Sequence, residues 1–211
     1  MTGRAWLLFL PLLAGCGRDS GSDVVARDDT VATSNPDTSS PAEGRDSTGA
    51  SPTSLDWTVS ERGAGPVRVG MEAAVAEARL GPIHPGQTME GSTCRYHYPT
   101  SAPAGVAFMA NEGTVTRVDV SPLDLGEVVP EQALPRTAAG VGIGSTQAEV
   151  EAAYGPQLRT ELHHYTDGRY LIVTPEADTS RRIIFETDEQ GRVTYLRAGR
   201  RPEVTWVEGC S

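Results

Sequence analysis

A glycine-rich stretch is the first candidate in this sequence for a site that could carry out chemistry. Gly140, Gly142 and Gly144 precede Ser145 and a short predicted helix, a pattern in which backbone N–H groups could hold a phosphate. A second stretch of the same plan, Pro66-Val67-Arg68-Val69-Gly70, keeps only its last glycine, so the shared feature is entry into a helix. No strand-helix-strand unit with an acidic residue about 20 positions further on accompanies it. We therefore predict no phosphate site in this stretch.

The histidines and hydroxyl residues form no recognisable catalytic pattern. His163 and His164 are adjacent, and neighbouring residues of a strand point to opposite faces, so the two rings cannot easily share one ion. The sequence has no Gly-x-Ser-x-Gly nucleophile elbow and no calcium-loop spacing of carboxylates. We therefore predict that the protein is not an enzyme and that it uses neither a metal nor a cofactor.

The charged residues argue against further classes of function. All eighteen basic residues are arginine, and Schiff-base chemistry, a P-loop and a Ser-Lys dyad each need a lysine amine. The formal net charge is -10 at pH 7, whereas binding to nucleic acid needs a basic surface. Nucleic acid is therefore not an expected partner.

The first sixteen residues have the pattern of an export signal. Arg4 precedes the apolar residues 5–13, a run too short to span a bilayer, and Leu13-Ala14-Gly15-Cys16 follows. This ending resembles the lipobox of bacterial lipoproteins, which are cut before the cysteine and acylated on it. The resemblance implies a signal peptide over residues 1–15 and lipidation, by palmitate or a similar acyl chain, at Cys16. The alternative is an ordinary secretory signal with an incidental cysteine.

The implied lipid sets the expected location. Several acyl chains on one residue anchor a protein stably to a membrane. Gly17 follows the cysteine, which is similar to the pattern of outer-membrane lipoproteins in Gram-negative bacteria. We therefore expect a lipid-anchored protein of the bacterial cell envelope, on the outer membrane facing the periplasm if the host is Gram-negative. Residues 16–53 are rich in Ser, Thr, Asp, Gly and Pro and predict a disordered tether behind the lipid.

The two remaining cysteines are Cys94 and Cys210. They form an even pair in a compartment that permits disulfides. We predict a disulfide between them, the alternative being two free buried thiols.

Aromatic residues recur at alternate positions of predicted strands. Cys94, Tyr96 and Tyr98 share one face of their strand. The pairs Val193 with Tyr195 and Val204 with Trp206 alternate in the same way. If the disulfide forms, this face is internal and its aromatic residues belong to the core. If the face is exposed, it is rich in the residue types that dominate binding hot spots, with arginines nearby. The candidate interaction surface consists of Tyr96, Tyr98, Tyr195 and Trp206.

Two stretches of the chain have the same pattern of residue types, 74 positions apart. Gly70, Glu77, Ala78, Gly81 and Pro82 correspond to Gly144, Glu151, Ala152, Gly155 and Pro156. Each stretch predicts a short helix, the first over 71–80 and the second from an N-cap at Ser145 or Thr146 to Gly155. Alternating apolar residues and glycine turns predict hairpins over 106–120, 163–173 and 183–196, and a last strand over 204–207.

The predicted fold class is therefore α+β, with two tandem repeats of a helix followed by a small antiparallel sheet, packed as one domain. The domain spans residues 54–211. Its first unit covers about 54–121, its second about 139–211, and a Pro-rich linker covers about 122–138.

This plan resembles the β-lactamase inhibitor protein fold. The stretch from Ile143-Gly144-Ser145-Thr146 to Gly155-Pro156 is also similar to the helix motif of the BamE/SmpA outer-membrane assembly lipoproteins. The first group binds proteins through a concave sheet face, and the second consists of assembly accessories. The inhibitor protein has a disulfide in each repeat, whereas this chain has one available pair, which favours a distinct lipoprotein family of the same fold.

The resemblance implies a non-catalytic envelope protein that binds another envelope protein, as an assembly accessory or an inhibitor-like module. The alternatives are a small-ligand or glycan-binding lipoprotein, which would need an exposed aromatic cleft, and a structural component of the outer-membrane assembly machinery.

Overall fold

The computed structural model describes residues 55–86 and 91–210, which all belong to one compact unit. The predicted signal peptide, Cys16 and the tether over 16–53 lie outside the described residues. The helices are α1 (Ala73–Leu80) and α2 (Gln147–Tyr154). The strands are β1 (Gly63–Ala64), β2 (Val67–Arg68), β3 (Ile83–Pro85), β4 (Cys94–Pro99), β5 (Val106–Asn111), β6 (Thr114–Val120), β7 (Leu123–Asp124), β8 (Glu127–Val128), β9 (Leu158–Leu162), β10 (Arg169–Val173), β11 (Arg181–Thr187) and β12 (Val193–Arg200).

One antiparallel sheet of eight strands dominates the architecture, in the order β3-β4-β5-β6-β12-β11-β10-β9. At its centre β6 pairs with β12, with Leu196 opposite Val120 and Arg197 opposite Asp119. The prediction of two tandem helix-plus-sheet repeats was therefore wrong: the described chain is mostly β-strand, its strands form a single sheet, and each α-helix has only eight residues. The physical reason is that β6 is buried over most of its length, and a buried strand edge without a partner would leave its backbone groups unbonded.

The first face of the sheet packs on the hydrophobic core. Phe108 of β5 and Phe185 of β11 are both fully buried there. Helix α1 contributes Ala76 and Leu80 to this core, and α2 contributes Val150. Since both helices pack on this face, we call it the core face.

The ends of α2 follow the local sequence. Thr146 is the N-cap, and it forms a capping box with Glu149. Gly155 ends the helix with a positive φ of 48°, a conformation that suits glycine. The predicted cap and end of this helix are thus confirmed.

Two of the three predicted hairpins are confirmed, β5 with β6 and β11 with β12. The third prediction was shifted: β10 pairs with β9, which ends at Leu162, before the histidine pair. Strand β9 lies at the edge of the sheet, and most of its side chains are exposed or partly exposed. An edge strand needs little apolar alternation, which is why the pattern did not reveal it.

Residues 201–210, here named the C-terminal segment, cross the face opposite the core. The predicted strand over 204–207 was wrong, because Glu203–Thr205 forms a 3₁₀ turn. Val204 is fully buried against Tyr170 and Ile184. Beyond that turn, the Cys94–Cys210 disulfide joins the segment to β4, with the two Cα atoms 5.3 Å apart. The predicted disulfide is confirmed.

Among residues 55–86 and 91–210, no helix has the length and apolar character needed to cross a membrane.

Removal of the disulfide should lower stability strongly. The bond joins residues separated by 116 positions, and closing a loop of that size stabilises a fold by about 4 to 5 kcal/mol in the chain-entropy model. We expect the Cys94→Ala/Cys210→Ala variant to lose a large part of that free energy of unfolding, as measured by urea denaturation. Reduction of the wild-type protein should give a similar loss and should leave the double variant unchanged. Equal stability of wild type and variant would contradict this account.

Candidate functional site

The face opposite the core carries polar and charged side chains on the strands at the middle of the sheet. The pairing register aligns Tyr96, Met109 and Arg117 across β4, β5 and β6, and Gly199 of β12 lies opposite Arg117. Residues two positions apart on a strand share a face, so Asp119 lies on this second face with Arg117. A Cβ atom at residue 199 would lie 2.8 Å from the Arg117 Cα atom, so the glycine allows close approach of the two strands.

Arg117 and Asp119 form a buried ion pair, with exposures of 1% and 2%. The Arg117 Nε atom donates to both Asp119 oxygens at 3.0 and 2.9 Å, and Nη2 lies 2.7 Å from Oδ1. The Tyr195 hydroxyl donates to the same Oδ1 at 2.6 Å. Burial disfavours the charged guanidinium, but the charge and hydrogen bonds of Asp119 outweigh it, so the pKa of Arg117 is raised. Arg117 is therefore charged at neutral pH.

Arg117 also holds the C-terminal segment. Its Nη1 atom donates to the carbonyl oxygens of Glu203 and Trp206 at 3.0 and 2.7 Å. Its Nη2 atom donates to the Tyr96 hydroxyl at 2.5 Å. One guanidinium therefore bonds a carboxylate, a phenol and two backbone carbonyls.

Arg197 of β12, like Arg117, binds both the C-terminal segment and a carboxylate. Its Nε atom donates to the carbonyl oxygen of Val204 at 2.8 Å, and Nη1 bonds the Glu186 carboxylate. The other Glu186 oxygen lies 3.0 Å from Nε2 of His163, whose ring stacks on Tyr170 at a centroid distance of 4.4 Å. Burial, and then the charge of Arg197, lower the pKa of His163 below its ordinary value.

A cleft of about 530 Å³ opens between the C-terminal segment and strands β4–β6 and β12. We name it the tyrosine cleft after Tyr96, Tyr98 and Tyr195, which line it. The charged residues in its lining are Asp119, Asp124, Glu186, Glu208 and Arg117. Asp119 and Glu186 are paired with Arg117 and Arg197, so Asp124 and Glu208 leave the cleft with a net negative charge.

The hairpin of β7 and β8 borders the tyrosine cleft through Leu123 and Asp124. Its Leu123, Leu125 and Val128 side chains are 59%, 63% and 79% exposed. They are three of the seven large hydrophobic side chains that are exposed in the described chain. Leu125 also has a positive φ of 48°, which is unfavourable for a leucine at the tip of a turn. Sequence analysis assigned this hairpin to a linker, although Leu125-Gly126 between two apolar positions was a usable turn signal.

The structure brings three of the four predicted interaction residues together. Tyr96, Tyr98 and Tyr195 line one cleft and are partly buried, an outcome between the core and surface alternatives. Trp206 lies outside that cleft and lines a neighbouring depression beside the disulfide. Val193 does not share the face of Tyr195, because a β-bulge between β11 and β12 turns Val193 into the core.

The sequence patterns did not reveal the residues that organise this face. Arg117 and Asp119 are charged side chains two positions apart in a strand whose other residues are valine and threonine. A buried charge needs a partner of opposite charge, so this spacing was the available signal. His163 and His164 separate as expected for neighbours: His163 contacts Glu186, whereas His164 is exposed.

Comparisons with known proteins do not establish a family. No protein-family model matches the chain, and no curated protein matches it. The uncharacterized protein yfeY from Escherichia coli is a similar solved structure, with 17% identity, a TM-score of 0.41, and coverage of 68% of this chain and 99% of that chain. The DUF4309 family protein YjgB from Bacillus subtilis shows 12% identity, a TM-score of 0.38, and coverage of 68% and 86%.

A third similar structure is an extracellular protein containing a SCP domain from Bacillus anthracis. It shows 12% identity and a TM-score of 0.36, and the match covers 63% of this chain and 44% of that chain. None of the three is described as a lipoprotein, a β-lactamase inhibitor protein or a BamE/SmpA protein, so the resemblance to those families stays a prediction.

Replacement of Arg117 should destabilise the domain strongly. In Arg117→Met the Asp119 carboxylate stays buried without its cation, a change that costs about 3 to 5 kcal/mol in buried ion pairs. Hydrogen exchange should also rise at the amides of residues 203–209, because two carbonyls of the segment lose their donor. The control Arg95→Met, at an exposed arginine of β4, should change stability by less than about 0.5 kcal/mol. Equal losses in the two variants would contradict the role of Arg117.

Acid should destabilise the domain through His163. The folded-state pKa is lowered, so the unfolded chain takes up the proton first as the pH falls through about 6.5, and stability falls with it. His97, whose pKa is also lowered chiefly by burial, acts in the same direction. Urea denaturation between about pH 7.5 and 5.5 should therefore show a weaker pH dependence for His163→Gln than for wild type. His164→Gln is the matched control and should keep the wild-type dependence, and an unchanged dependence in His163→Gln would refute this assignment.

Proposed function

We propose that this protein is a non-catalytic module of the bacterial cell envelope, anchored by lipid on Cys16, that binds another protein at the tyrosine cleft. The observation that carries the proposal is the pairing of that cleft with the exposed apolar hairpin of β7 and β8. The lipobox-like Leu13-Ala14-Gly15-Cys16 supports the anchoring.

The side chains of the hairpin and cleft suit a protein interface. Contiguous exposed apolar residues are unusual on monomeric surfaces and mark interaction sites. Tyrosines beside them offer large contact area and hydroxyl groups, and tyrosine is enriched at binding hot spots. The unfavourable φ of Leu125 holds an apolar side chain out at the hairpin tip. Backbone strain of this kind concentrates at functional sites.

The charge of the cleft indicates the chemistry of the partner. Its lining includes the exposed Glu208 and the partly buried Asp124 and Glu186. A partner segment with a basic side chain flanked by apolar residues would complement both the carboxylates and the hairpin. Such complementarity would set the specificity and association rate more than the affinity.

A capture experiment with matched variants tests this function. Lipidated full-length protein is cross-linked in native membranes, solubilised in detergent and purified, and the captured proteins are quantified. We expect one envelope protein to be captured by wild type and lost in Leu125→Ser/Val128→Ser, because truncating interface anchors costs about 1 to 2 kcal/mol or more each. Leu162→Ser, at an equally exposed leucine on β9, is the control and should keep the capture.

Three outcomes would overturn parts of the proposal. Capture of nothing by wild type would refute a stable protein partner and would favour a small ligand or glycan in the cleft. Equal capture by the hairpin variant would place the interface elsewhere on the molecule. Cytosolic rather than membrane recovery of the wild-type protein, with Cys16→Ser unchanged, would refute the lipid anchor.

A further inference from the structure

A second cleft lies on the same face of the sheet, on the other side of the C-terminal segment. It encloses about 220 Å³ over strands β9–β12. Val207 of the C-terminal segment lines both this cleft and the tyrosine cleft. We name it the arginine cleft because its lining includes Arg159, Arg182, Arg197 and Arg201. Glu161 is its only carboxylate among the described residues, so the lining carries a formal charge of about +3 in a chain whose net charge is -10.

The sheet register brings these arginines together. Arg159 of β9 is opposite Ile172, Ile172 is opposite Ile184, and Ile184 is opposite Arg197 of β12, so two arginines end one row across the sheet. Arg182 is two positions before Ile184 on β11 and therefore shares its face. Arg201 begins the C-terminal segment, and its backbone N–H bonds the Ser180 carbonyl beside β11. Four separate elements thus direct guanidinium groups to one cleft.

Two of the four arginines have carboxylate partners and two do not. Arg159 pairs with Glu161, and Arg197 pairs with Glu186. The Arg182 side chain donates to the carbonyl oxygens of Thr179 and Arg181. Within residues 55–86 and 91–210, neither Arg182 nor Arg201 lies within ion-pair distance of an acidic side chain. Burial, and then the charges of Arg201 and Arg159, lower the pKa of Arg182.

The floor of the cleft is apolar. Tyr170, Ile172 and Ile184 cover it, with Val207 at its wall. An apolar floor lowers the local dielectric, which strengthens both the repulsion among the arginines and their attraction to an anion. The guanidinium fork matches the oxygens of phosphate in a bidentate way. Unneutralised arginines over an apolar floor therefore form a site that an oxyanion would complete.

We propose that the arginine cleft binds a phosphate group, presented either as free phosphate or as the headgroup of an anionic lipid. The cleft, of about 220 Å³, has room for one phosphate and a few attached atoms. The exposed Arg159 and Arg201 at its edge would contact the anion first, and Arg182 would lie beneath it. This inference is independent of the tyrosine cleft and of any protein partner.

The test uses the full chain carrying Cys16→Ser, which keeps the protein free of lipid. Binding of inorganic phosphate is measured by titration against chloride at matched ionic strength. Binding to vesicles of phosphatidylcholine, with or without phosphatidylglycerol, is measured by co-sedimentation. The cleft variant is Arg159→Gln/Arg201→Gln. Its matched control is Arg62→Gln/Arg95→Gln, which removes one arginine paired with a neighbouring glutamate and one other exposed arginine elsewhere.

We expect the cleft variant to bind at least about tenfold more weakly than wild type, because it loses charge-assisted hydrogen bonds to the anion. The control should bind like wild type. A specific loss with inorganic phosphate identifies a free phosphate ligand, and a specific loss with phosphatidylglycerol vesicles alone identifies the lipid headgroup. Equal weakening in both variants would show unspecific charge attraction and overturn the site, as would the absence of binding to both probes.

Discussion

The hydrogen bonds from Arg117 and Arg197 to the C-terminal segment are the interaction on which the second face of the sheet depends. The segment pairs with none of the strands in the described part of the chain, and the carbonyl groups of Glu203, Val204 and Trp206 accept hydrogen bonds from these two guanidiniums instead. A buried carbonyl without a donor costs about 1 to 3 kcal/mol. The guanidiniums are themselves compensated by Asp119 and Glu186, so neither charge is buried alone. With the disulfide at its end, the segment is held by a covalent bond, by hydrogen bonds and by apolar contacts.

The C-terminal segment gives this face two clefts of opposite charge. The tyrosine cleft has more carboxylates than guanidiniums, and the arginine cleft has the reverse. Both are lined in part by Val207, and both lie over the same sheet. A basic protein segment and an anionic group would therefore be attracted to different sides of one short segment. The C-terminal segment thus separates an excess of negative charge in one cleft from an excess of positive charge in the other.

Local patterns predicted the elements whose stability is local. The alternation in Val106–Val120 with its glycine turn predicted a hairpin that the structure contains. Thr146 and Glu149 formed the expected kind of helix start, because a capping box needs only residues three apart. Strand β9 escaped notice because it lies at a sheet edge with many exposed side chains, and the 204–207 strand was wrong because Val204 is buried as part of a turn. In both cases contacts with other parts of the same chain, and not the local sequence, determined the secondary structure.

By itself, the sequence determined the alternation of β4, which places Cys94, Tyr96 and Tyr98 on one face, and the cysteine pair that closes the domain. The absence of lysine also excluded the reactions that need a lysine amine. The tertiary structure alone decided that β6 and β12 pair, so that the strands form one sheet instead of two repeats. It also decided that Trp206 lies outside the tyrosine cleft. Finally, it decided that arginines from β9, β11, β12 and the C-terminal segment line one cleft. The reason is that side-chain alternation is encoded within one strand, whereas sheet order and convergence depend on pairing between strands far apart in sequence, which one chain's periodicity does not specify.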